Sequence, residues 1–397
     1  MSRRLAALAV AVLVLVAAGM IALTTVGGPA SRHVADAPTT STSSASTTAT
    51  TATAAPVDAV VAEVEAFVSK TRQLAYQRPV PVTLLSGDAF KARLLADAED
   101  NRKDVEVAQR TLRALGLIDA NVDLYAITQR FIGDAVVGFY DSKHGDLVVR
   151  GGTLSPYARV VLAHELTHAL DDQWFRIDRS ELDKPGNDEA AAAFTALVEG
   201  NAVRVQQAYE AHLSLADRGR AAIEEQRAAA SVDVKGVPLV VQEIVSWPYE
   251  VGPTFVHALL TAGGEPRVDD ALKDPPTTTE QIVDPAAYLS HRPVVAVARP
   301  RADGPVLASG IYGWSSLVET LEPVVGTDEA KVAADGWAGD AYVLWDAGGG
   351  RSCVRATFVM RTAADLAQLT SSLDTWAADR HAKVGRGPTG VSFTSCG

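Results

Sequence analysis

His164 and His168 stand four residues apart with Glu165 beside the first, in the run His164-Glu165-Leu166-Thr167-His168. On an α-helix, at about 100° per residue, the two imidazoles lie ~40° apart, one turn above the other, so both can reach a single cation. Glu165 points roughly a quarter-turn away, close enough to work on a water at that cation without being a ligand. These types at this spacing point to metal-assisted hydrolysis. His164 and His168 are the ligands, and Glu165 is the residue that takes up and returns a proton.

A catalytic zinc takes three protein ligands and leaves one position open. The continuation Ala169-Leu170-Asp171-Asp172-Gln173-Trp174 contains no histidine, so the third ligand must come from farther along. Glu199, 31 residues beyond His168, is the candidate. It shares a helical face with Ala192, Ala196 and Val203, and a carboxylate on an inward apolar stripe needs a cation to be stable there. Gly200 beside it removes a side chain where two helices must approach closely. Glu189 competes, but its place in the first helical turn is accounted for by the helix dipole. Asp171 lies too far from His164 to share its cation. It either accepts an imidazole N–H to fix a tautomer or is a solvated helix-end aspartate, and the same holds for Asp172. Tyr209, His212, Tyr249 and His257 could each donate to a developing oxyanion, and spacing does not choose among them.

The positioning elements follow from the flanks. Ser155-Pro156 reads as an N-cap and a first-turn proline, and Arg159–Leu170 runs without a breaker. A second helix is expected from Asn187, as N-cap, to Ala216. Before the histidines, Ala135–Tyr140 and Asp146–Arg150 flank a polar turn ending in Gly145 and read as a β-hairpin. Such a strand can line a cleft and pair with an extended substrate; His144 at the turn is expected to be exposed. Upstream, residues 57–78 show helical spacing, Val80–Leu85 a short strand, and Asp88–Leu115 one or two charged amphipathic helices. Residues 217–235 read as polar helix or linker. Trp247-Pro248 is expected to break the chain before an apolar segment at Thr254–Leu260. Thr277-x-x-Glu280 reads as a capping box after Pro275-Pro276. Trp337, Gly336 and Gly339 suit packing and turns, and a helix is expected at Ala363–Ala378.

The chain has 397 residues, 47% of them hydrophobic, and a net charge of −12. Residues 1–55 balance to +2, so the remainder carries −14. An acidic body without basic runs excludes nucleic acid and anionic lipid surfaces as partners, so membrane contact is expected only through the N-terminal segment. Arg3-Arg4 precede an uncharged run from Leu5 to Val26, which reads as a signal peptide cleaved near Ala30 or a retained anchor; either places the rest outside the cytoplasm. No cysteine lies there, which excludes lipoprotein attachment. Pro38–Pro56 is almost entirely Thr, Ser and Ala and reads as a disordered tether. Cys353 and Cys396, the only cysteines, are expected to form one disulfide pinning the tail. The resulting organisation is a leader or anchor at 1–30, a linker at 31–56, a catalytic domain at 57–290 and a C-terminal α+β region at 291–397 that completes or abuts it. Oligomeric state is not legible.

The residues His164-Glu-Leu-Thr-His-Ala-Leu-Asp-Asp-Gln173 followed by Ala196-Leu-Val-Glu-Gly-Asn-Ala202 resemble the gluzincin group of metallopeptidases. More closely, they resemble bacterial extracytoplasmic metallopeptidases with HELTHALDDQ and LVEGDA segments. Three further stretches are similar: Val137-Gly-Phe-Tyr-Asp141, Pro275-Pro-Thr-Thr-Thr-Glu-Gln-Ile282 with Tyr288, and Gly336-Trp-Ala-Gly-Asp340. The resemblance covers residues 130 to 345. It implies an α+β, zincin-like domain, Zn²⁺ on His164, His168 and Glu199, Glu165 as general base and acid, and a peptide or protein substrate. Asn201 departs from the Asp usual in that pattern; if that Asp orients a ligand, Asn201 does so by a hydrogen bond without charge, and a weaker zinc site is expected. Two rival readings share these residues: a non-catalytic surface module with a structural zinc, and a zinc amidohydrolase acting on cell-wall material.

Overall fold

A computed structural model describes residues 56–184 and 186–397 of the chain. The expected leader or anchor at 1–30 lies outside the described residues, as does all but the last residue of the linker at 31–56. Among the described residues no helix is long and apolar enough to cross a membrane. The fold is mixed α and β, with helices predominating and the strands gathered in two separate sheets.

Helix α1, Val57–Arg72, buries Val60, Val61, Val64 and Val68 at helical spacing. Strand β1, Val82–Leu85, is followed by α2 (Gly87–Leu94), a 3₁₀ turn at Ala98–Asn101, α3 (Arg102–Ala114) and α4 (Leu124–Ala135). The hairpin strands β2, Gly138–Asp141, and β3, Asp146–Arg150, pair antiparallel with Phe139 opposite Val148. β1 adds in parallel on the other side of β3, giving the order β1-β3-β2 and leaving β2 at the edge. Helix α5, Pro156–Phe175, carries the HExxH run; Ser155 accepts from the Ala158 N–H at 3.3 Å, and Pro156 opens the first turn. It is buried nearly all round, packed on β2 and β3 on one side and on α1 and the next helices on the other.

Helix α6, Asp188–His212, carries Glu199. Asn187 stands at its N-cap position, but its amide donates to the Glu181 carbonyl (2.9 Å) and leaves the helix uncapped by a side chain. The polar stretch after it is helical, as α7 (Leu215–Ser231). The expected break at Trp247-Pro248 does not occur: α8 runs from Leu239 to Gly263 with Pro248 and Pro253 inside it. Each interior proline costs about 3 kcal/mol, but a buried face including Val241, Ile244, Val245, Phe255 and Leu259 outweighs that, at ~1.5–3 kcal/mol per side chain. α6 and α8 cross at Gly200 and Gly252, where a Cβ on Gly200 would sit 2.2 Å from the Gly252 carbonyl carbon. The close approach foreseen at Gly200 is thus to α8, not to the histidine helix.

Short helices α9 (Glu265–Lys273), α10 (Thr279–Val283) and α11 (Pro285–Leu289) follow. The cap of α10 is shifted by one residue from the expected box. Thr278 accepts from the Gln281 N–H (3.3 Å), the Gln281 side chain accepts from the Thr277 N–H (2.8 Å), and Glu280 pairs instead with Arg292 (2.7 Å) and Arg361 (3.0 Å).

The C-terminal part comprises β4 (Val306–Gly310), α12 (Gly313–Val325), α13 (Thr327–Ala334), β5 (Trp337–Gly348), β6 (Arg351–Met360), α14 (Ala363–Arg380), β7 (Lys383–Arg386) and β8 (Gly390–Cys396). Its strands form an antiparallel sheet in the order β4-β5-β6-β8-β7. Trp337, Trp376, Phe358 and Phe393 fill the space between that sheet and α12, α13 and α14. Cys353 and Cys396 face one another in register on β6 and β8 at disulfide-bonding distance. This part shares its core with Ala114 and Leu115 at the end of α3 and also makes polar contacts with the rest: the Ser315 N–H donates to the Thr279 hydroxyl (3.0 Å), and the Tyr342 hydroxyl to Asp188 (3.2 Å).

Candidate metal centre

α5 and α6 lie side by side, and their facing sides bring three donor atoms to one point. His164 Nε2 is 3.1 Å and His168 Nε2 3.5 Å from Glu199 Oε2, and the two Nε2 atoms are 3.0 Å apart. The imidazole planes are nearly perpendicular, at 82°. His164 and Glu199 are 0% exposed, His168 1% and Glu165 2%.

Hydrogen bonding around the cluster supports cation binding. Gln206, two turns beyond Glu199 on α6, places its Oε1 3.0 Å from His164 Nδ1. An amide oxygen only accepts, so Nδ1 carries the proton and Nε2 of a neutral His164 turns a lone pair toward Glu199. A lone pair facing a carboxylate oxygen at 3.1 Å is repulsive unless a proton or a metal ion lies between them. His168 Nδ1 and Glu199 Oε1 are buried without a hydrogen-bond partner among the described residues. Burial pushes the Glu199 carboxyl up, but positive charge and donated hydrogen bonds from the facing rings, His168 first, outweigh it and hold it below the ordinary range, the same need for a cation or proton between these atoms. Two imidazoles and one ionised carboxylate, buried and convergent, form a group able to hold a metal ion.

Glu165 does not join this cluster. Its Oε2 accepts from the Tyr140 backbone N–H at 2.9 Å, which fixes the carboxyl against the edge strand β2. Burial raises Glu165 to about 8, with Glu199 adding to the rise and His164 and the Tyr140 N–H opposing it. Gly138 on the same strand lets α5 come close: a Cβ there would meet Val161 at 3.0 Å and Glu165 at 3.7 Å.

The rest of the HALDDQ stretch is scaffold. Asp171 does not accept from an imidazole and is not solvated. It receives Arg72 of α1 (3.0 and 3.1 Å) and the Asn201 amide of α6 (2.5 Å). Arg72 also pairs with Glu265 and with Asp269 (2.8 Å), and Arg204 with Glu265 (2.8 Å) and Asn201 (2.7 Å). Burial works against the Arg72 charge, and Asp171, Glu265 and Asp269 outweigh it. Asn201 therefore orients Asp171 and Arg204 rather than a ligand, which removes the reason given above for a weakened site. Asp172 accepts the Tyr140 hydroxyl (2.9 Å) and the Ile177 N–H (3.1 Å), tying β2 to the end of α5. Gln173 accepts the backbone N–H groups of Gln77 (2.7 Å) and Arg78 (3.1 Å).

Comparison with protein-family models, curated proteins and solved structures found no match. The centre is therefore read from its own geometry.

Of the four candidate oxyanion donors, Tyr249 of α8 alone touches the cluster, its ring stacked at 6.2 Å and 21° on His164. Tyr209 donates to Glu63 (3.2 Å), His212 packs on Phe67 (5.1 Å), and His257 is exposed. His144 is exposed at the hairpin turn. Together with Asp141 and Asp146 it forms a second group of metal-capable side chains, but Arg93 occupies it, 2.5 Å from Asp141 and 3.2 Å from His144. Glu189 is more than a helix-dipole partner. It is 4% exposed and accepts from the Thr279 N–H (2.6 Å) and hydroxyl (2.7 Å). Gln206, which acts on His164, was not among the expected residues, and Tyr140, which acts on Glu165, was expected only as part of the hairpin strand. The signal for Gln206 was its position on the Glu199 face of α6, seven residues on.

Proposed function

We propose that the chain is a zinc-dependent metallopeptidase of gluzincin type, with a zincin-like domain acting outside the cytoplasm on a peptide or protein substrate. The observation that carries this reading is the convergence of His164 Nε2, His168 Nε2 and Glu199 Oε2 within 3.5 Å of one another, with Glu165 held alongside. Two imidazoles and one carboxylate are a donor set suited to catalytic zinc. A zinc ion held there supplies a Lewis acid that acidifies a water and polarises a carbonyl.

The chain's own groups do the rest. Gln206 fixes the His164 tautomer that offers Nε2. Glu165, anchored by the Tyr140 N–H and ionised when a cation at the neighbouring donors offsets its burial, takes a proton from the attacking water and delivers it to the leaving amine. β2 is paired on one edge only, and the Tyr140 N–H on its free edge points at Glu165. An extended peptide laid along that edge runs past the proton-transfer group. Arg3-Arg4 before an uncharged run and the paired cysteines Cys353 and Cys396 support an exported location.

The burial of all four residues favours a second reading, a closed structural metal site in a non-catalytic module. Against it stand the three-residue donor set, one short of a structural zinc site, and the retained Glu165. Metal analysis of the purified full chain, with wild type and Glu165→Gln compared on a peptide library, separates the two. The peptidase reading expects zinc in both proteins and a cleavage rate about 10²–10⁴-fold lower in the variant. Zinc with no peptide cleavage by wild type would move the assignment to the structural site or to an amidohydrolase acting on cell-wall material.

A further inference from the structure

A cleft of about 750 Å³ opens between α8 and α12. Glu243, Trp247 and Glu250 line it from α8 at i, i+4 and i+7, and Trp314, Glu319 and Glu322 from α12. Asp335 lines it too, Glu280 and Asp284 share Arg292, both at 2.7 Å, and Glu322 takes the Thr327 hydroxyl. Lys331 is the other cation of the wall.

Glu319 is the anomaly. It is 8% exposed, faces this cavity, and has no hydrogen-bond or ion-pair partner among the described residues. A carboxyl in that position is destabilised as an anion, and burial, the largest cause, raises it to about 8. Burial without a partner, further acids in the wall and two indoles lining the same cleft are features by which proteins bind organic cations. One helix, α8, borders both the cleft and the metal centre. Ser246, in its wall, lies one turn before Tyr249, whose ring stacks on His164.

We propose that the cleft between α8 and α12 binds a guanidinium or ammonium group, received by Glu319 and Glu243 and flanked by Trp247 and Trp314. Resting on the peptidase reading, its occupant is an Arg or Lys side chain of the substrate, so the enzyme selects basic peptides.

The test measures binding rather than turnover. Full-chain Glu165→Gln is titrated with end-blocked Ala/Gly hexapeptides carrying one central Arg, Lys or citrulline. The proposal expects the Arg and Lys peptides to bind at least about tenfold more tightly than the citrulline peptide. Adding Glu319→Gln or Glu243→Gln should erase that difference, with thermal melts confirming that each variant is folded; two variants guard against one failing to fold. Equal binding of all three peptides overturns the proposal and leaves the peptidase reading intact. Preference for the basic peptides without cleavage by wild type upholds the cleft and sinks the peptidase reading. Free arginine binding as tightly as the Arg peptide would assign the cleft to a small cation and overturn the substrate role.

Discussion

Oε1 of Gln206 lies 3.0 Å from Nδ1 of His164, and this contact holds the proton on Nδ1 and leaves the Nε2 lone pair facing Glu199. Replacing Gln206 by Leu removes the acceptor, frees the other tautomer and leaves a buried N–H without a partner. Metal affinity is expected to fall about 10–100-fold, read by competition with a chromogenic chelator. Unchanged affinity would mean that the tautomer is set elsewhere.

Asn201 bridges Asp171 and Arg204 through opposite ends of its amide, 2.5 and 2.7 Å away. Asn201→Ala strips one hydrogen bond from each buried charge and is expected to destabilise the fold by about 1–3 kcal/mol. Chemical denaturation measures this. Metal affinity of the folded fraction should change little, because Asn201 touches no ligand.

Gly200 and Gly252 allow α6 and α8 to cross with backbone against backbone. Gly200→Ala forces a methyl into the Gly252 carbonyl, and neither backbone can yield without separating the helices. A loss of about 3 kcal/mol is expected, together with weakened metal binding as the neighbouring Glu199 is displaced. Gly252→Ala should act alike, and the double variant should cost less than the sum of the two. Full additivity would argue against a shared contact.

Glu189 is held in its buried seat with its carboxyl raised to about 8, chiefly by burial, while the Thr279 hydroxyl and N–H oppose the rise. The folded chain then holds a proton that the unfolded chain releases near the ordinary value of 4.5. Stability from this group is full below pH 4.5 and is lost as pH rises toward 8. Glu189→Gln retains an oxygen for Thr279 and removes the titration. Its melting temperature should fall less than that of wild type between pH 5 and 8, by about 2–4 °C. Parallel curves for the two proteins would place the titration on another group.

The local chain determined a good deal by itself. Residue types and spacing put His164 and His168 on one face of one helix, because the 3.6-residue period is a property of the backbone and not of its surroundings. The same arithmetic started α5 at Ser155-Pro156, paired β2 with β3 around Gly145, and set Glu199 on the inward face of the next long helix. Tertiary structure decided what spacing could not. It carried α8 through Pro248 and Pro253, since the burial of a whole helix face is summed over many contacts that no local window contains. It gave Asp171 to Arg72, 99 residues away, rather than to His168. It set Gln206 on His164 and the Tyr140 N–H on Glu165, because hydrogen bonds between elements depend on how those elements pack and not on their separation along the chain.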